Sequence, residues 1–232
     1  MITSFVLKIL AAITMLIDHT RFLGANNFVS SYVGKMSFPI FAFLIAQGYI
    51  HTKNFSKYLL RLSVFALISQ IPAYLFFKPF TEGKLYLNVF FTLVLGLLAI
   101  RLYDKIKDKY IKIIAVLIIA LIAEILHMDY GAYGVLLIAT FYVFRDQKAI
   151  CILIASGLMI FHFLDRVPKF NAANIKLIKT NILASIFSIS SLIPISLYNG
   201  KLGKSNKYLK IGFYLIYPVH LLIYYLFKVW FL

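Results

Sequence analysis

The chain has 232 residues, of which 62% are hydrophobic and only 14% are charged, and its formal net charge is +16. A soluble domain of this size needs a larger charged share, so the composition excludes an ordinary soluble protein. The positive charge would suit a nucleic-acid binder, but the basic residues lie in connectors between apolar stretches and form no single stripe with exposed aromatics. The composition therefore predicts a polytopic membrane protein with no nucleic-acid partner.

Nine apolar stretches follow one another, each about long enough to cross a hydrocarbon layer of ~30 Å as a helix. They cover 5–24, 32–50, 58–77, 85–102, 111–126, 130–144, 149–164, 180–198 and 211–232. We therefore predict an all-α membrane helix bundle with about nine transmembrane helices, eight and ten being the alternatives. The sixth stretch is short and follows a turn-like segment, so a re-entrant helix is its alternative. No long polar linker divides residues 1–232, which predicts a single domain.

Lysine and arginine are unevenly distributed over the connectors, and cytoplasmic loops of membrane proteins carry the excess of these residues. Placing the N-terminus inside assigns most of the 24 basic residues to the inner face. One connector assigned to the outer face breaks this rule, because it contains Arg166, Lys169, Lys176 and Lys179. The distribution predicts a multi-pass protein of the cell membrane with a cytoplasmic N-terminus.

Asp18 and His19 stand side by side near the end of the first apolar stretch. Ionisable groups at that depth are expensive and usually functional, and a short aspartate side chain cannot reach water as a lysine can. A neighbouring carboxylate can fix the tautomer of an imidazole and raise its basicity. We interpret His19 as a general base that Asp18 orients. The alternative is a pair that only extends towards the lipid headgroups.

Other polar residues fall into an outer and an inner zone once the orientation is set. The outer zone includes Lys35, Asn88 and Asp129, and His220 lies nearer the middle of the membrane. Each has a simpler explanation. Lys35 could extend to the headgroups, Asn88 could join two helices by hydrogen bonds, and His220 could be a packed histidine beside a proline kink.

The inner zone surrounds the connector between the second and third stretches and contains His51, Lys53, Asn54, Lys57 and Arg61. Its three cations are spaced i, i+4 and i+8, so they share one helical face if the third helix begins early. They are either ordinary positive-inside anchors or a clamp for the phosphates of an anionic cofactor. The chain has neither a P-loop nor a Gly-x-Gly-x-x-Gly run, which disfavours nucleotide hydrolysis and dinucleotide redox chemistry.

Metal chemistry is also disfavoured. Glu124 and His127 have an i, i+3 spacing that could serve a metal, but pairs of this kind are common by chance, so no metal is expected. Cys151 is the single cysteine and permits no intrachain disulfide.

A series of motifs in chain order resembles the TraX family of integral membrane proteins. The motifs are the segment 7–19 that ends in Met-Leu-Ile-Asp-His, Gly-Lys-Met-Ser-Phe-Pro-Ile-Phe-Ala-Phe at 34–43, His-Thr-Lys-Asn at 51–54, Lys-Tyr-Leu-Leu-Arg-Leu at 57–62, Ser-Gln-Ile-Pro at 69–72, Asn-Val-Phe-Phe-Thr-Leu at 88–93, Asp-Tyr-Gly at 129–131, Tyr-Gly at 133–134 and Tyr-Pro-x-His at 217–220. The resemblance covers nearly the whole chain. Gln70 departs from it, because many relatives are expected to have an acidic residue there.

The resemblance implies an acetyltransferase, since the family is named for the enzyme that acetylates the amino terminus of F-type conjugative pilin. It implies acetyl-CoA as the cytosolic donor, and an amine or hydroxyl of a peptide or envelope glycan as the acceptor. The inner zone would then bind the phosphates of coenzyme A, while the pantetheine arm extends towards His19. Lys35, Asn88 or Tyr130 would stabilise the oxyanion, with Asp129 and His220 as further contacts to the acceptor.

Two other classes of protein fit the sequence less well. A proton-coupled transporter or flippase would use the intramembrane ionisable residues as a relay, but no inverted internal repeat supports it. A non-catalytic assembly protein would leave those residues without a reason.

Overall fold

The computed structural model describes residues 1–25, 27–81, 85–167 and 174–231, and within these ranges the fold is all-α. Two helices of five residues are α2 (Phe28–Tyr32) and α10 (Leu192–Ser196). Nine helices of 13 to 25 residues form the framework of the described chain. They are α1 (Ser4–Thr20), α3 (Ser37–His51), α4 (Phe55–Phe77), α5 (Val89–Lys105), α6 (Lys109–Ile125), α7 (Gly131–Val143), α8 (Lys148–Leu164), α9 (Ile175–Ser190) and α11 (Lys207–Phe231).

Each of the nine predicted apolar stretches overlaps one of these long helices, which confirms the predicted fold class. The start of the second stretch was predicted at residue 32, whereas α3 begins at Ser37 after a 3-10 turn at Val33–Met36. Pro39 lies in the first turn of α3, where its missing N–H leaves no helical hydrogen bond unmade. Two residues of the sequence predictions, Lys169 and Leu232, lie outside the described ranges.

Four segments of the described chain are long and apolar enough to cross a membrane, and two helices are apolar but shorter. The four are Phe28–His51, Phe55–Phe80, Ile175–Ser196 and Lys207–Phe231, and the shorter two are α7 and α8. The 13 residues of α7 extend for about 20 Å, which is less than the ~30 Å hydrocarbon layer. The length of α7 agrees with the re-entrant alternative for this stretch. The four long apolar segments agree with a multi-pass membrane protein.

The chain divides into two compact units, and the division falls inside α3 between Leu44 and Ile45. The first unit combines Met1–Leu44 with Phe144–Lys204. In it, the 3-10 turn Val33–Met36 packs against both α1 and α9, and α8 packs along α9. This turn therefore joins the N-terminal helix to the later helices of its unit.

The second unit combines Ile45–Val143 with the C-terminal segment that begins at Ser205. Here α11 packs along α4, and α5, α6 and α7 pack against one another. Leu62, Leu97 and Ile138 are completely buried in the unit. The single domain predicted from the sequence stays a prediction.

Candidate functional site

The first unit holds a largely buried ion pair between α1 and the 3-10 turn. Lys35 Nζ donates to Asp18 Oδ1 at 2.6 Å, and the two side chains are each 14% exposed. The other carboxylate oxygen, Oδ2, lies 3.6 Å from Arg21 Nη2. Both oxygens of Asp18 therefore face cations, which is how a carboxylate is stabilised away from water.

Gly34 allows this pair to form, because α1 and the 3-10 turn approach each other at this glycine. A Cβ atom at position 34 would overlap the side chain of Asp18 and stand 2.7 Å from its Cα atom. The approach is reinforced one turn later, where Ser37 Oγ donates to the carbonyl of Ala11 at 2.9 Å. The glycine and the serine therefore fix the position of Lys35 relative to Asp18.

His19 follows Asp18 on α1 and is half-buried. Its ring centroid lies 6.3 Å from that of Phe22, on which the guanidinium of Arg21 also stacks at 4.5 Å. Successive residues of a helix point about 100° apart, so Asp18 and His19 leave α1 in different directions. The structure adds Lys35 and Arg21 as partners of Asp18, and the prediction that Asp18 orients His19 stays a prediction.

Two further polar residues of the first unit lie together at the end of α8. Arg166 Nη2 is 2.9 Å from His162 Nε2. Two cations, Lys35 and Arg21, contact the carboxylate of Asp18, so the local charge favours an anion or a developing oxyanion.

In the second unit, Asn88 joins α5 to α4. Its Nδ2 donates to the carbonyl of Ala66 at 2.8 Å and to Gln70 Oε1 at 2.9 Å, while its Oδ1 accepts from the backbone N–H of Phe90. Gln70 Nε2 in turn donates to the carbonyl of Tyr86. Because both N–H groups of the Asn88 amide already have acceptors, the structure favours helix joining over oxyanion binding at this residue.

The Gln70 side chain also explains the departure noted in the sequence. Its carbonyl oxygen accepts from Asn88 as a carboxylate would, but its amide donates to a backbone carbonyl, which an ionised carboxylate cannot do. Glutamine at this position therefore completes a network of neutral hydrogen bonds.

Asp129 and Tyr130 lie in the tight turn between α6 and α7. His127 and Tyr130 have positive φ angles of 48° and 64°, which non-glycine residues rarely adopt. Thr92 donates its hydroxyl to the backbone carbonyl of Asp129, and Glu124 Oε2 accepts from the N–H of Ala132 at 2.9 Å. These bonds hold the turn in its conformation, and they use the Glu124 carboxylate to cap α7.

His220 is 5% exposed in the middle of α11. Its Nδ1 lies 2.7 Å from the carbonyl oxygen of Ile216, and its ring contacts those of Tyr217 and Tyr224. A carbonyl only accepts, so Nδ1 carries the proton. This is the packed histidine beside a proline that was the simpler of the two interpretations, and its role as an acceptor contact stays a prediction.

The inner cations lie around the start of α4, which begins at Phe55. Asn54 caps this helix, because its Oδ1 accepts from the N–H of Lys57 at 2.9 Å. Lys53 therefore precedes the helix, and the early start that would place it on one face with Lys57 and Arg61 is not observed. All five residues of the inner zone have exposed side chains, namely His51, Lys53, Asn54, Lys57 and Arg61. The Arg61 guanidinium lies 5.8 Å from the centroid of the Tyr58 ring, and Arg61 is a hydrogen-bond partner of Tyr214 on α11.

A polar cluster at the same end of the second unit was missed by the sequence analysis. Asp104 accepts from the hydroxyls of Tyr142 and Tyr49, both at 2.8 Å. The Tyr49 hydroxyl also accepts from Arg101 Nη1 at 3.4 Å, and the Arg101 guanidinium lies 4.9 Å from the ring centroid of Phe55. We name Tyr49, Arg101, Asp104 and Tyr142 the tyrosine–aspartate cluster. The sequence feature that could have indicated this cluster is Asp104, an acidic residue in a basic connector.

The fourth apolar stretch of the sequence ends at residue 102, so Asp104 lies beyond the apolar part of α5. The hydroxyl of Tyr142, followed by that of Tyr49, holds the pKa of the Asp104 carboxyl below its ordinary value because both donate to the ionised form. The carboxyl is therefore an anion at neutral pH, and the cluster joins the ends of α3, α5 and α7.

These features define an all-α, multi-pass membrane protein with ionisable side chains paired inside its helical units. A family model described as "TraX protein" matches residues 4–228, and the chain belongs to that family. It is also 32% identical over 241 residues to "Probable fimbrial assembly protein FimC, serogroup H1" of Dichelobacter nodosus, covering 94% of this chain and 93% of the relative. No solved structure matches the chain.

Proposed function

We propose that this protein is a membrane-embedded acetyltransferase that moves an acetyl group from cytosolic acetyl-CoA to an amine or hydroxyl acceptor. Membership of the TraX family supports the activity, and the fimbrial name of a relative supports a surface peptide such as a pilin as acceptor. An envelope glycan is the other acceptor class. The observation that carries the proposal is the ion pair of Asp18 and Lys35 beside His19, because such groups are costly within an apolar helix.

In the proposed reaction, His19 accepts the proton of the acceptor amine or hydroxyl as that atom attacks the acetyl carbonyl carbon. Negative charge then develops on the carbonyl oxygen, and Lys35 stabilises it, with Asp18 holding the ammonium group in place. The C–S bond breaks when the tetrahedral intermediate collapses. The leaving sulfur of coenzyme A takes the proton from His19, so the base is restored without a metal.

We assign the acyl donor to the second unit, where His51, Lys53, Lys57 and Arg61 surround the start of α4. Exposed cations near one helix start can hold a polyphosphate by charge-assisted hydrogen bonds. Asn54 would act indirectly, since its side chain caps the helix that positions Lys57. Asp129, Tyr130 and His220 remain the proposed contacts to the acceptor.

Thioester cleavage by the purified protein tests this function. In proteoliposomes with labelled acetyl-CoA and a panel of peptides and sugars, we expect label on an acceptor and release of free coenzyme A. Label that crosses the bilayer with its thioester intact would identify a transporter or flippase instead. Neither cleavage nor transport would leave an assembly role and contradict the proposal.

We also propose that the N-terminus is cytoplasmic, because this orientation assigns most basic residues to the cytosol and exposes the α4 start to the donor. A reporter active only in the cytosol should be silent when fused after Leu232. The same reporter inserted after Lys105, between α5 and α6, should be active and serves as the control. Activity of the C-terminal fusion would mean either that the number of spans is even, as a re-entrant α7 would make it, or that the orientation is wrong.

A further inference from the structure

Arg101 is a further cation near the start of α4 that does not belong to the inner zone defined from the sequence. It leaves α5 near the end of that helix, and its guanidinium stacks on Phe55, the first residue of α4. Phe55 is two residues from Lys53 and two from Lys57 along the chain. The stacking therefore places a planar cation beside the connector that carries the proposed donor-binding residues.

Asp104 is one turn from Arg101 on the same helix face, so an ion pair between them would be the default arrangement. The two tyrosine hydroxyls compete with it, because each donates to one oxygen of the Asp104 carboxylate. Arg101 meets the cluster only through the Tyr49 hydroxyl at 3.4 Å. Within the cluster, Arg101 thus donates to a neutral hydroxyl, and the Asp104 carboxylate attracts it through space.

We infer that Arg101 binds a phosphate of the acyl donor, and that the hydroxyl bonds of Tyr49 and Tyr142 to Asp104 keep its guanidinium available for that contact. This inference rests on the proposed function and names a further donor contact for the same reaction. A guanidinium fixed by stacking loses little freedom when it forms two parallel hydrogen bonds to a phosphate. Tyr49, Asp104 and Tyr142 are positioning residues, since they act through Arg101.

Calorimetry of coenzyme A binding in detergent tests the role of Arg101. Arg101→Gln should weaken affinity by about 10- to 100-fold, the range of a lost charge-assisted hydrogen bond, and Arg101→Lys should recover part of it. Lys57→Gln, in the connector group, should also weaken binding. Lys105→Gln removes one exposed charge from the same helix end and should bind as the wild type does. Equal losses in Arg101→Gln and Lys105→Gln would mean general electrostatics and overturn the inference.

A second set of variants tests the positioning residues. Tyr142→Phe leaves Arg101 in place but frees one oxygen of Asp104 to pair with it, so coenzyme A affinity should fall several-fold. Adding Asp104→Asn removes the competing charge and should restore binding. A structural role alone would give a double variant that is weaker than Tyr142→Phe, and that result would contradict the inference.

Anionic lipid headgroups present the same phosphate ester chemistry as coenzyme A. The variants are therefore compared in lipid-free detergent and in nanodiscs with and without phosphatidylglycerol. Unchanged coenzyme A affinity of Arg101→Gln, with reduced phosphatidylglycerol retention, would assign Arg101 to the lipid and overturn this inference alone. Failure of the wild-type protein to bind coenzyme A in any of these conditions would overturn the proposed function as well.

Discussion

His19→Ala should reduce acetyl transfer by about 10²- to 10⁴-fold, the contribution that a positioned general base usually makes. Binding of coenzyme A should persist, because the proposed donor contacts lie on other helices. We would measure labelled transfer in proteoliposomes and binding by calorimetry. Thr20→Val is the matched control on the same helix end, since the Thr20 hydroxyl bonds only the carbonyl of Ile17 in its own helix.

Asp18→Asn belongs to the same experiment and separates two roles of the carboxylate. If Asp18 orients His19, the pH profile of transfer should change with the basicity of the imidazole. If Asp18 mainly holds Lys35, the variant should lose rate with the profile unchanged, and Lys35→Gln should lose a similar amount. Full turnover in both His19→Ala and Asp18→Asn, with normal expression, would contradict the mechanism and make His220 the next candidate base.

Gly34→Ala should separate α1 from the 3-10 turn at Val33–Met36. A methyl group there meets the backbone of Asp18, which cannot rotate away as a flexible side chain can. Overpacking of this kind costs about 1–3 kcal/mol, and here it also lengthens the Lys35–Asp18 contact. We expect a lower thermal unfolding midpoint in detergent and a large loss of acetyl transfer in the protein that remains folded.

Gly157→Ala is the control for the same substitution. Gly157 lies in α8 of the same unit, and a Cβ atom there would meet no other atom within 4 Å. Alanine also favours a helix more than glycine does, so this variant should be as stable as the wild type or slightly more so. Equal behaviour of Gly34→Ala and Gly157→Ala would show that the close approach at Asp18 is not required.

The nine long helices could be predicted from the sequence because their signal is local. A segment that crosses the hydrocarbon layer must bond its backbone internally and carry apolar side chains over a fixed length. The 3-10 turn before α3 was not predicted, because its conformation depends on how Gly34 fits against α1. Hydropathy along the chain contains no information about such a contact.

Asp18, His19 and Lys35 were identified from the sequence by type and depth alone, since an ionisable residue in an apolar stretch is rare whatever its partner. The pairing of Asp18 with Lys35, 17 residues apart, was decided by the tertiary structure. So was the cluster that brings Tyr49 to Asp104 across 55 residues and Tyr142 to the same carboxylate. Helix periodicity shows which residues share a face, but the partner of that face depends on side-chain packing between helices, which only the folded chain establishes.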